Sequence, residues 1–200
     1  MNMNMLNKLI EQAKNPVGMV GSIMLRIMNS AHRDMNEWAF GKIKLNEEAV
    51  VLDVGCGGGR TLQMLSLKNR TGKIYGIDYS EQAVKDSIRT NKADVENGKI
   101  QVQQASVTNI PFPENTFDLI TAFQTHYFWT DMENSIKEVF RVLKKQGCFF
   151  IIAEAYKINY HMKNYKSKED MERLLKKAGF NKVEFYASPN NKWICISGTK

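Results

Sequence analysis

Gly55-Cys56-Gly57-Gly58-Gly59 follows a short apolar run and precedes a helical pattern. Glycine lets a backbone come close to a ligand, and the first turn of a following helix offers N–H groups without helical partners. The implied chemistry is ligand binding by main chain. What is missing narrows the ligand. A phosphate-gripping loop ends in Gly-Lys-Ser/Thr, which is not present. A dinucleotide loop reads GxGxxG, but the sixth position counted from Gly55 is Arg60. Asp53 stands just before the loop, where an acid repels a pyrophosphate and suits a positively charged amine. About 20 residues beyond the loop, Gly76-Ile77-Asp78-Tyr79-Ser80 supplies a carboxylate that can accept both hydroxyls of a ribose.

Groups able to move a proton come later. His126 and Glu154 each stand at the end of an apolar run, and both are candidate bases. Tyr127, Phe128 and Trp129 follow His126 as an aromatic cluster, suited to an apolar acceptor pocket or to packing under the next helix. His32 adds a third titratable candidate from the N-terminal region.

These residues need strands and helices to hold them. Ala49 to Val54 reads as a buried strand, Arg60 to Leu67 as a helix and Lys73 to Asp78 as a second strand. Ser80 caps a helix with Ala83, Val84, Ser87 and Ile88 inward, and Ile100 to Ala105 reads as a third strand. The turn Ile110-Pro111-Phe112-Pro113 leads to a fourth strand, Phe117 to Phe123. Asp131 caps a helix with Ile136, Val139, Phe140 and Leu143 on one side, broken by Gly147. Cys148 to Ala153 reads as a fifth strand. A helix with Met171, Leu174, Leu175 and Ala178 ends at Gly179, before two strands near Lys182 to Tyr186 and Lys192 to Ser197.

This alternation predicts an α/β fold: a Rossmann-like, seven-stranded, mostly parallel sheet with helices on both faces and an antiparallel last strand. Ligands on such sheets bind beyond the carboxyl ends of the strands, where strand order reverses. One domain is expected over 1–200, with a helical arm over 1–44 and a cofactor-binding core over 45–200. In the arm, Met19, Val20, Ile23, Met24, Ile27 and Met28 make one apolar face. It could cover a substrate pocket, with Met28, His32 and Trp38 on the wall, or pack on the core.

Composition adds exclusions. The net charge is +7 among 28 basic and 21 acidic residues, but the lysines are scattered, so nucleic acid is an unlikely partner on this reading. Cys56, Cys148 and Cys195 form no CxxC pair and no zinc spacing, which argues against a metal and fits a reducing cytoplasm. The N-terminus is not expected to be a signal peptide, because Asn2, Asn4, Asn7 and Lys8 interrupt its apolar residues.

Taken together, Val51 to Gly59, Gly76 to Ser80, Ile110-Pro111-Phe112 with Phe117-Asp118-Leu119-Ile120, and Arg141-Val142-Leu143-Lys144 before Gly147 resemble the class I S-adenosylmethionine-dependent methyltransferases. The match spans roughly Val50 to Glu154 and is similar to their small-molecule branch, which includes quinone-biosynthesis enzymes. The resemblance implies a cofactor site for S-adenosylmethionine and its product S-adenosylhomocysteine. Gly55, Cys56, Gly57 and Gly59 would hold the methionine part, with Asp53 behind. Asp78 would take the ribose and Tyr79 would lie against the adenine. Ala105-Ser106-Val107 stands where family members often carry Gly-Asp-Ala, so Ser106 offers an uncharged acceptor and Val107 its backbone N–H. Gln124 falls at the methionine end. His126 or Glu154 would serve as base, and Met28, His32, Trp38, Tyr127 and Trp129 would line the acceptor pocket. The function implied is methyl transfer to a small molecule. Alternatives are a nucleic-acid or protein acceptor, or cofactor binding without catalysis. Against nucleic acid, Gln124-Thr125-His126-Tyr127-Phe128 lacks the Pro-Pro-aromatic motif of adenine-amino methylases, and none of the cysteines follows a proline.

Overall fold

The computed structural model describes residues 11–12 and 14–200. The first ten residues of the expected arm, and residue 13, lie outside that range.

Seven strands form one sheet: β1 (Val51–Val54), β2 (Ile74–Asp78), β3 (Ile100–Gln104), β4 (Phe117–Phe123), β5 (Leu143–Glu154), β6 (Lys182–Ala187) and β7 (Trp193–Thr199). Their order is β3-β2-β1-β4-β5-β7-β6. The strands from β3 to β5 pair in parallel, and β7 runs antiparallel to both neighbours. Strand order therefore reverses between β1 and β4, and a crevice opens beyond their carboxyl ends.

β1 explains why the sheet forms here. All four of its residues are buried, as a strand covered on both faces requires. Leu52 and Val54 face one core cluster, with Ile136 and Val139 of α6 (Met132–Val142) and Leu174 and Leu175 of α8 (Lys168–Ala178). Val51 faces the other, with Met35 and Phe40 of α2 (Arg33–Phe40) and Leu62 and Leu65 of α3 (Arg60–Lys68). The remaining helices are α1 (Gly18–Ala31), α4 (Glu81–Thr90), α5 (Lys92–Glu96) and α7 (Ala155–His161). The Ser80 and Asp131 hydroxyl and carboxyl caps are formed, accepting from Ala83 and Asn134. Among the described residues no helix is long and apolar enough to cross a membrane.

Two boundaries differ from the sequence reading. α6 stops at Val142 and β5 starts at Leu143, so Leu143 belongs to the strand and Gly147 lies inside it. The apolar spacing could not see this, because Leu143 is buried in either element. Left-handed Gln146, at φ 64°, accompanies the irregular pairing of β5 with Phe117 and Leu119 of β4. The second difference is α1. Its buried and half-buried side is Gly21, Ser22, Met24, Leu25 and Met28, while Met19, Val20, Ile23 and Ile27 point outward. The apolar face read from spacing is therefore mostly turned to solvent, and among the described side chains of this helix only Leu25 is buried and apolar.

Two of the motif pieces serve each other. The Arg141 guanidinium donates to the carbonyls of Phe112 at 2.8 Å and Ile110 at 2.9 Å, and to Glu138 at 2.7 Å. Glu138 in turn accepts the Ile110 N–H at 3.0 Å. Lys144 pairs with Asp118 at 2.9 Å. Arg141 and Glu138 thus clamp the proline turn onto α6, and Lys144 ties β5 to β4. Arg141→Met should lower unfolding stability by roughly 1–3 kcal/mol, because it strands two carbonyls and a carboxylate. Urea unfolding checks this, and an unchanged midpoint contradicts the clamp.

Candidate active site

A cavity of about 450 Å³ lies at the carboxyl ends of β1, β2 and β4. That size is within the usual range for a small-molecule or cofactor site. Its floor is Gly55, Cys56, Gly57 and Gly58, one wall is Asp78 and Tyr79, and another is Ala105 to Thr108. The arm closes it from above with Asn15, Pro16, Leu25, Met28, His32 and Asn36. Gln124, Thr125, Phe128, Trp129 and Thr130 complete the far end.

The loop and Asp78 are one unit. One oxygen of Asp78 accepts the Gly57 N–H at 2.9 Å, and the other accepts the Ser80 N–H at 2.9 Å. Burial raises the Asp78 pKa, while the N–H groups of Ser80, Gly57 and Tyr79 pull it down. Each carboxylate oxygen keeps a further lone pair toward the cavity. The glycines differ in purpose. A Cβ on Gly55 would meet Thr125 at 2.3 Å, so packing against the β4 exit requires glycine there. Gly57, at φ 53°, has only Leu25 of the arm within reach, at 3.5 Å, and faces the cavity. Gly59 is off the cavity wall, held as the residue before α3 by Ser87 and Asn91.

The other expected cofactor residues divide in the same way. Cys56 and Tyr79 line the cavity, Cys56 buried and Tyr79 exposed. Burial pushes the Cys56 thiol well above its ordinary pKa, so it is not a nucleophile at neutral pH. The Ser106 hydroxyl is 2.7 Å from Thr108 Oγ1 and accepts the Thr108 N–H at 3.2 Å, so it shapes the turn it lies in. Val107 is beside it on the wall. Asp53 is not on the wall. It is buried behind the loop and accepts from Thr121 Oγ1 of β4 at 2.7 Å. Gln124 is a hub: its Oε1 accepts from Tyr127 at 2.7 Å, and its amide donates to Met35 Sδ at 3.0 Å. Its φ of 56° is a left-handed backbone for a non-glycine, the kind of strain that gathers at functional sites.

The base candidates move furthest from expectation. His126 is fully buried, and neither ring nitrogen has a hydrogen-bond partner among the described residues. Burial holds its pKa down to about 3, so it stays neutral and does not reach the cavity. Left-handed Gln124 bends the chain into a short 3-10 turn, His126–Phe128, that sends His126 and Tyr127 inward and leaves Phe128 and Trp129 on the wall. Tyr127 therefore supports Gln124 from behind. Glu154 is off the wall as well. The His32 imidazole at 3.6 Å and the Lys157 ammonium at 2.8 Å hold its pKa down to about 2, too low for a useful base. Trp38 packs on Trp193, 6.0 Å between rings, away from the cavity. Met28, His32 and Trp129 do line it.

Sequence reasoning missed Asn36. It is buried on the cavity wall, and its Oδ1 has no partner among the described residues. The signal was available: His32 and Asn36 are four apart, which puts both on one side of a helix.

A family described as "Methyltransferase domain" matches residues 52–151, half of the chain. The chain belongs to this family. It is 30% identical over 151 residues to the rat mitochondrial protein named arginine-hydroxylase NDUFAF5, covering 66% of this chain and 42% of that one. It is 26% identical over 121 residues to the uncharacterised methyltransferase YdaC of Bacillus subtilis, covering 60% and 65%. The chain thus matches less than two thirds of the length of either relative. A crystal structure of an S-adenosylmethionine-dependent methyltransferase from Aquifex aeolicus superposes with a TM-score of 0.73 at 21% identity, covering 89% of this chain and 97% of that one. S-adenosylmethionine is the cofactor the family brings to this cavity. The residues present fit it: a carboxylate with free lone pairs at the β2 exit, a glycine-floored cradle that a Cβ on Gly57 would narrow, and no lysine of the phosphate-gripping kind in the loop.

Asp53 yields a pH prediction. Burial raises its pKa from 3.8 to about 7, partly offset by the Thr121 hydroxyl and reinforced by Asp78. Because the folded value is above the ordinary one, its contribution is complete below about pH 4 and is lost as pH rises through about 7. The loss is on the order of a few kcal/mol. Asp53→Asn should therefore flatten the fall in melting temperature across this window, and an unchanged slope would count against a buried, proton-holding Asp53.

Proposed function

We propose that the protein transfers a methyl group from S-adenosylmethionine to a small-molecule acceptor. The observation that carries this reading is one cavity lined both by the Asp78–Gly57 unit and by His32 and Asn36 of the arm. When bound, the cofactor supplies a sulfonium methyl already activated for transfer. The chain's residues would then bind, align and exclude water, and alignment alone can lower a barrier substantially.

The acceptor end is assigned to His32, Asn36, Thr130, Phe128 and Trp129. The aromatic pair offers apolar contact, and Asn36 offers a carbonyl oxygen for a donor on the acceptor. His32 is the titratable side chain at this end, close to the Glu154–Lys157 pair. Lys157 Nζ is 3.0 Å from His32 Nε2. The same nitrogen lies 3.6 Å from Glu154 Oε2. His32 is thus held between two charged groups at the edge of the cavity, where its ring can orient the acceptor.

A cavity roofed by the arm favours a compact acceptor over nucleic acid. A protein side chain is the second reading, and the name of the rat relative is what favours it. The test is incubation with radiolabelled S-adenosylmethionine and separate small-molecule, peptide and RNA fractions from a cell extract. Label is expected in the small-molecule fraction. Label only in peptide supports the second reading, and label in none overturns both. With the acceptor in hand, His32→Ala should reduce kcat by roughly 10- to 100-fold, the scale of a lost orienting hydrogen bond of about 1–3 kcal/mol. His126→Ala should instead leave kcat intact.

A further inference from the structure

The arm carries an anomaly that methyl transfer does not use. On the inner side of α1, Ser22 accepts from Gln82 of α4 at 2.9 Å, Gly21 packs on Pro16, and Leu25 and Met28 line the cavity. Its outer side is Met19, Val20, Ile23 and Ile27, from 52% to 81% exposed, with Arg26 beside them. The helix contains no acidic residue. Val17, just before it, is exposed too. The helix is thus apolar on its outer side as well as its inner one, and a contiguous apolar outer side is unusual for a helix facing water.

The neighbouring rim matches it. Helix α7 leaves the end of β5 beside the arm, with Lys157 against His32. His161 of α7 stacks on Tyr127, 5.3 Å between rings, and burial with the charges of Lys14 and Lys157 lowers its pKa. Tyr156 and Tyr160 of this helix are exposed. From Ala155 to Lys168 the chain holds Lys157, Lys163, Lys166 and Lys168 and no acid. Of the ten large exposed hydrophobic side chains among the described residues, all but Leu67 and Ile88 lie on the arm or on this carboxyl edge. The outer side of α1 is therefore apolar, and the segment beside it carries two exposed tyrosines and the exposed Lys163, Lys166 and Lys168, while Lys157 is paired with Glu154.

We propose that α1 and the α7 rim form a docking surface for an anionic lipid bilayer. An apolar helix face lying in the headgroup region, with lysines and arginines around it, binds by burying apolar area and by attraction to anionic lipid. Tyrosine suits the same boundary, with an apolar ring and a polar tip. Charge selects this occupant over a second copy of the chain, since two such rims would bring lysines against lysines. The reading stands apart from the reaction, because it concerns the outer side of the arm and not the cavity.

The test is flotation of the full chain with vesicles of phosphatidylcholine alone and with about one third phosphatidylglycerol. The protein is expected to float with the anionic vesicles, to remain behind with the neutral ones, and to be released by high salt. Ile23→Gln with Ile27→Gln should reduce the bound fraction by at least about tenfold. Lys163→Gln with Lys166→Gln should remove the preference for anionic lipid. Circular dichroism melting and S-adenosylhomocysteine binding should be unchanged in both. Should the double isoleucine variant fold poorly, Met19→Gln alone provides the same readout. No flotation, or equal flotation with both vesicles, overturns the proposal. So does a dimer in light scattering that Ile23→Gln with Ile27→Gln converts to monomer, which would make a second copy the occupant.

Discussion

The carboxylate of Asp78 is the constraint on which the site depends. A partly buried negative charge needs donors, and Asp78 takes them from the two segments that must meet around a ligand. Its bond to the Gly57 N–H fixes the loop. Its bond to the Ser80 N–H fixes the start of α4. Ser80 then passes the constraint on, because its hydroxyl donates to the Pro16 carbonyl at 2.6 Å and pins the beginning of the arm. Leu25 of the same arm reaches Gly57 from above. Floor, wall and roof of the cavity are thus joined through one side chain.

The opposite end is organised by Gln124. Its left-handed backbone ends β4, and its amide joins the arm at Met35, the 3-10 turn at Tyr127 and the start of the β5 exit at Glu154. The charges there are arranged in pairs. Glu154 is held ionised by His32 and Lys157, and its position ties the arm to β5. The chemistry proposed for this end rests on the groups that line the cavity there, His32, Asn36 and the aromatic faces of Phe128 and Trp129.

Much of this was legible in the sequence. Period-two and unbroken apolar runs located the strands, and the glycine loop with Asp78 located the ligand edge. These features are local, and the pattern of a doubly wound sheet follows from their order. Side-chain direction after a strand end was not legible. His126 stands two residues beyond β4, as a mouth residue would, but left-handed Gln124 turns it into the core. Glu154 also stands at a strand end, and what removes it from the reaction is Lys157, a residue of a helix the sequence did not announce. Trp38 was drawn to Trp193 of the last strand, a partner 155 positions away. The apolar face read for α1 divides, with Met24 and Met28 inward and Met19, Val20, Ile23 and Ile27 outward, because amphipathic spacing says which residues share a side and not what that side touches.

Asp78 is proposed to hold both the loop and the ligand. Isothermal calorimetry with S-adenosylhomocysteine, on the natural protein and on Asp78→Ala, tests this most directly. Binding to the natural protein and a loss of about 1–3 kcal/mol in the variant are expected, the scale of hydrogen bonds to a charged group. Equal dissociation constants for the two proteins, or no binding to the natural one alongside clear binding of NAD, would contradict it.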